Sequence, residues 1–230
     1  MLNLQKTAKT IGILFIIGTV SGMLSCVFSS ALTTPDYLTQ LTANHNQIYI
    51  GALLVLCMGI SLSLMSLVMY PILRIYNETL ARGMVIFRGA LELLAYLGIA
   101  VNWLLLLNAS KDFVSNGSPI NSSYQVLGAT LRNAESQIVS IWLPIVFALG
   151  ALMMYYMLYK TNLIPAWLSL WGIVGALVYF GAPASVMFGA NFEFFTIPLC
   201  IQEMVMAVWL IAKGFNVSSY NQLLKNKVAA

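Results

Sequence analysis

Long apolar runs dominate this sequence, and its polar residues gather in the short stretches between them. The runs lie near 9–32, 47–72, 83–108, 136–158, 166–190 and 194–213. Each approaches or exceeds the roughly 20 residues a helix needs to cross a hydrocarbon layer about 30 Å thick. Apolar and polar residues do not alternate, as the strands of a membrane barrel would require. Continuous runs of this length predict helices, which satisfy their own backbone hydrogen bonds away from water. The expected architecture is all-α: one polytopic integral membrane domain over 1–230 with six transmembrane helices. Its longest connection, a loop and helix over 109–135, should lie outside the bilayer.

Local patterns refine this picture. Gly18 and Gly22 in the first run form a small-xxx-small motif, which lets two helix backbones approach closely. Packing within the chain is its expected use, and a homo-oligomer interface is the other. The second run carries Ser61, Ser63 and Ser66 and ends at Pro71. Pro165 suits the first turn of the fifth helix, and Pro183 should kink its outer part. Asn116-Gly-Ser-Pro119 reads as a turn cluster, followed by a capping box from Ser122 to Gln125. Tyr124, Leu127, Leu131, Ala134, Ile138, Ile141 and Ile145 then recur at three- and four-residue steps. They predict one helix that starts above the membrane and runs on into the fourth span.

Composition agrees that lipid is the solvent. Of 230 residues, 60% are hydrophobic and 8% charged, with a mean hydropathy of +0.86. A soluble domain would be roughly 25% charged. The net charge of +4 does not indicate nucleic-acid binding, because its cations stand singly at span ends without a basic stripe. Those cations predict orientation instead. Lys6, Lys9, Arg74, Arg82, Lys160, Lys213, Lys225 and Lys227 fall on one set of connections, and only Lys111 and Arg132 on the other. The positive-inside rule places both termini in the cytoplasm. Trp167, Trp171 and Trp209 fall near that boundary and Trp103 and Trp142 near the opposite one, as an aromatic belt would.

The basic start and Ser29-Ser30-Ala31 resemble a signal peptide, but the apolar run is too long for one, so a retained span is expected. Asn116-Gly-Ser118 and Asn121-Ser-Ser123 fit the glycosylation pattern, a weak match that has no bearing if the source is bacterial. Cys26, Cys57 and Cys200 lack disulfide or metal-site spacing and read as small buried hydrophobes. His45 stands alone in a loop, without a second imidazole for a metal. No metal site, cofactor or nucleophile–base constellation is expected.

Ionisable residues inside the runs carry the chemistry. Each costs about 2.5–3.5 kcal/mol on insertion scales and is a functional-site hypothesis by default. At about 1.5 Å per residue, Arg88 lies near enough to the cytoplasmic end for its long side chain to snorkel out. Glu92 lies near the midplane, and Glu203 on the sixth run sits at similar depth with Gln202 beside it. Glu135 and Glu193 fall at outer boundaries and need no special account. Arg88 and Glu92 share a helix face at i,i+4 spacing, and Glu203 completes a cluster if the third and sixth helices bring it near. Burial disfavours the charged form of an unpartnered carboxyl group, so one arrangement pairs Arg88 with one glutamate while the other holds a proton. The candidate ligand- or proton-binding residues are therefore Arg88, Glu92, Glu203 and Gln202. A buried ion pair that fixes helix register is the alternative. Acidic residues in the last helix of each three-helix half also suggest an inverted-repeat transporter, although the halves share no further residue pattern.

The chain also resembles a family of bacterial membrane proteins, domain of unknown function 4386. The likeness rests on Phe87-Arg88, on Leu163-Ile-Pro165-Ala-Trp167-Leu-Ser-Leu-Trp-Gly172, and on Gln202-Glu203 followed by Val208-Trp209-Leu-Ile-Ala-Lys213-Gly214-Phe-Asn216. It runs through nearly the whole chain and implies a bacterial inner-membrane location. Arg88 and Glu203 match positions the family pattern favours. A histidine common early in the fourth span of such proteins is absent here, where the chain reads Glu135-Ser-Gln-Ile. The resemblance implies no activity. The expected function is binding or transport of a small molecule, lipid or ion through the Arg/Glu cluster, with membrane lipids as surroundings. A sensory or protein-interaction subunit acting through 109–135 is the rival.

Overall fold

Helix formation follows the apolar runs closely, because a backbone surrounded by lipid has no solvent partner for a broken hydrogen bond. The computed structural model describes residues 3–119, 122–189 and 193–229. It is 88% helical, with no strand among the described residues. The helices are α1 (Leu4–Phe28), α2 (Tyr37–Ala43), α3 (His45–Leu73), α4 (Glu78–Ser115), α5 (Ser123–Thr161), α6 (Ala166–Phe180), α7 (Ala182–Met187), α8 (Glu193–Ala212) and α9 (Val217–Ala229). Asn121 and the side chain of Glu193, both named above, lie outside the described residues.

Five helices are long and apolar enough to cross a bilayer: α1, α3, α4, α5, and α6 with α7. The sixth candidate is α8 with α9, a pair bent by 89°. α1 packs on α3, α3 on α4, α4 on α5, α5 on α6 and α6 on α8, and α8 returns to α1. The result is a closed ring of six helices around one interior. α4 and α5 each contain a wide π-helical turn, over Val85–Leu91 and Ile138–Trp142.

Local chemistry sets the helix ends. Asn77 caps α4 by accepting from the Leu80 amide at 2.9 Å, and α5 stops at Asn162 in the left-handed region. The Gln125 side chain accepts from the Ser122 amide at 3.2 Å, starting α5 as a capping box would. α6 breaks at Gly181, with Pro183 the second residue of α7. Between α8 and α9, Gly214 adopts φ +71°, where any Cβ would collide with the Gln5 side chain. That contact belongs to a knot joining the chain ends. Gln5 Nε2 donates to the Phe215 carbonyl at 3.2 Å, and the Asn216 amide donates to the Leu163 carbonyl at 2.8 Å. The first turn of α1 and the α8–α9 junction therefore sit at one end of the ring.

The outside of the ring is apolar, and an ionisable cluster lies within its core. Leu53, Leu94, Leu177 and Val208 stand exposed on the outside, whereas Arg88, Glu92, Gln202 and Glu203 are buried within. Gly18 and Gly22 face α3 of the same chain, where added Cβ atoms would meet Leu62 and Met58. Three expectations need correction. Cys26, Cys57 and Cys200 are free but exposed on the outer surface, not buried. Trp103 is buried and not a belt residue. Its indole donates to Glu135 Oε1 at 2.6 Å, so Glu135 has a specific partner after all. Both follow from α5 starting well above the apolar run, which lays its first turns against α4.

Candidate functional site

A π turn spends an extra residue on one turn of helix and is frequent at functional sites. The one over Val85–Leu91 carries Arg88 toward the centre of the ring. Gly150 on α5 permits this. A Cβ there would lie 2.7 Å from the Arg88 backbone nitrogen and 2.8 Å from its Cβ, so only glycine lets the two backbones come this close.

Arg88 is wholly buried and does not snorkel. Its planar guanidinium stacks on Phe147 of α5, 3.8 Å from the ring centroid, with Phe15 of α1 at 5.9 Å. Its two Nη groups reach different carboxylates. Nη1 donates to Glu92 Oε2 at 3.3 Å, and Nη2 donates to Glu203 Oε1 on α8. A fork of fixed donors suits two acceptors from separate helices better than a lysine point charge would. Arg88 Nε finds no partner among the described residues.

Around this centre lies a ring of tyrosines. Tyr96 donates its hydroxyl to Glu92 Oε1 at 3.1 Å, so Arg88, Glu92 and Tyr96 form one stripe at i, i+4 and i+8 along α4. Tyr179 of α6 meets Phe147 edge-on at 5.1 Å. Tyr155 of α5 donates to Gln202 Oε1 at 2.6 Å, and Gln202 Nε2 donates to the Leu168 carbonyl at 3.0 Å. Gln202 thus fastens α8 to α5 and α6 and makes no hydrogen bond to Arg88.

The structure brings Arg88, Glu92 and Glu203 together, and the carboxylates meet through the guanidinium. Tyr96, Phe147, Tyr155 and Gly150 were missed in the sequence. Only Tyr96 carried a signal, its place on the Arg88–Glu92 stripe. Fully ionised, the three charged groups sum to −1, in surroundings where unpaired charge is costly.

An all-α ring with an apolar exterior and ionisable residues at its centre defines a multi-pass membrane protein. The chain belongs to the family described as domain of unknown function (DUF4386), whose pattern matches residues 10–214. That stretch contains α3 to α8 complete, with Arg88, Glu92 and Glu203 inside it. No curated protein and no solved structure matches the chain.

Proposed function

We propose that this protein binds or moves a small molecule or ion across a bacterial inner membrane, using Arg88, Glu92 and Glu203 as a centre that exchanges one proton. The observation that carries the reading is the wholly buried guanidinium shared by two carboxylates from separate helices. Charge balance supports the proton. One positive and two negative groups leave −1, and a single proton or monovalent cation neutralises it. A purely structural ion pair needs only one carboxylate, and the second adds a desolvation penalty without a second cation to offset it. The lysine and arginine distribution supports an orientation with both termini in the cytoplasm.

Infrared difference spectra of the reconstituted protein, recorded across a pH step, test this. The expected result is a protonated-carboxyl band in the wild type that is lost in Glu92→Gln or Glu203→Gln while folded yield is kept. Identical difference spectra from the wild type and both variants would leave the pair as a static register device.

A further inference from the structure

A second site starts at the end of the ring where the first turn of α1 meets the α8–α9 junction. Two cavities adjoin there. One, of about 360 Å³, is lined by Asn162, Lys213 and Asn216 together with apolar residues such as Leu163, Pro165 and Phe215. The other, of about 420 Å³, is an apolar groove down α8 lined by Met204, Val205, Val208 and Ala212. Trp209 and Lys213 belong to both. A charged end and an oily groove therefore form one continuous surface.

Its dimensions match half a bilayer. From Met204 to Lys213 the helix rises about 14 Å at 1.5 Å per residue, close to half of a hydrocarbon layer about 30 Å thick. Tryptophan and lysine at the polar end are the residues that settle at a headgroup boundary. The 89° bend after α8 turns α9 across this end, not onward along the groove. Val217 and Leu224, seven residues apart and hence on one face, stand exposed there beside Lys225. That is the arrangement of a helix lying at an interface.

Charge selects the occupant. Residues 204–229 include Lys213, Lys225 and Lys227 and no aspartate or glutamate. Lys213 is exposed and takes no part in the ion pairs among the described residues. Asn216 Oδ1 is occupied by the Ser218 and Ser219 amides at 3.0 and 3.2 Å, so its amide nitrogen remains as a donor. We infer that this surface holds a single anionic phospholipid, its phosphate against Lys213 and Asn216 and one acyl chain along the α8 groove. The site needs nothing from the Arg88 cluster and stands whatever that cluster does.

Native mass spectrometry of the full chain, released from bilayers with equal phosphatidylglycerol and phosphatidylcholine of the same acyl chains, tests the assignment. One phosphatidylglycerol is expected to stay bound in preference to the zwitterionic lipid. Lys213→Gln should weaken its retention about fivefold, the scale of one lysine near an anionic surface. Lys111→Gln, at the other end of the molecule, should leave it unchanged. Ala212→Phe, which fills the groove, should weaken retention of that lipid and decides the matter if Lys213→Gln does not fold. Equal retention of the two lipids by the wild type, or unchanged retention in Ala212→Phe, overturns the proposal. Displacement by millimolar glycerol phosphate would also overturn it, because the groove would then contribute nothing.

Discussion

The backbone contact between Gly150 and Arg88 decides how tightly α4 and α5 close around the guanidinium. Replacing a helical glycine with alanine ordinarily gains up to about 1 kcal/mol in helix propensity. Here the new methyl would sit 2.7 Å from a backbone nitrogen, where no flexible side chain can give way. Overpacking of this kind costs about 1–3 kcal/mol, so the steric term wins. Gly150→Ala should lower the thermal unfolding midpoint in detergent, and a rise would show that the backbones have room to part. None of this was legible in the sequence, because a glycine in an apolar run looks the same whichever neighbour it meets. Arg88, Glu92 and Glu203 were legible, since charged groups deep in apolar runs stand out by cost alone. The snorkelling expected of Arg88 is overturned by its complete burial. The length of its side chain permits snorkelling, but the π turn and Gly150 direct it inward to two acceptors and an aromatic face.

Among the elements, α4 shows what a π turn accomplishes. An extra residue is absorbed locally, so the helix faces before and after it keep their places on α3 and α5. The consequence is testable by deletion. Removing Ala90, exposed within Val85–Leu91, should collapse the wide turn to ordinary α-helix and leave a folded protein with Glu92 displaced from Arg88. Removing Leu97, equally on the outer surface but in regular helix, should rotate everything beyond it by about 100°. Ile99, Trp103 and Leu106 would then leave the core, and folded yield by size exclusion should fall sharply. Equal yields from the two deletions would contradict the role given to the π turn. The sequence announced α1, α3, α4, α5 and α6 because each carries enough apolar residues to be a helix on solvation grounds alone. It did not announce α2 and α9. Seven residues with mixed polarity, and thirteen rich in Ser, Asn, Gln and Lys, form helices by docking on neighbours, and docking is a tertiary fact.

At the scale of the whole molecule, the ring encloses an apolar core with one ionisable cluster in it and still leaves many apolar side chains on its outside. Soluble proteins seldom leave a large contiguous apolar surface uncovered. Here Ile13, Leu53, Leu94, Leu105, Leu177 and Val208 stand exposed across five helices. Burying them against lipid tails removes the penalty that water would impose, about 25 cal/mol for each Å². The exposed cysteines give this argument an independent test, because Cys57 and Cys200 lie within α3 and α8 on that same outer surface. If the surface faces acyl chains, a charged, membrane-impermeant maleimide should fail to modify either thiol in intact vesicles. It should modify both once the chain is unfolded in denaturing detergent. Ser21, which donates to the Cys57 sulfur at 3.4 Å, does not provide that protection, since one weak hydrogen bond leaves an exposed thiol open to attack from water. Labelling of Cys57 in intact vesicles would therefore place water along α3 and move the lipid boundary to another face of the ring.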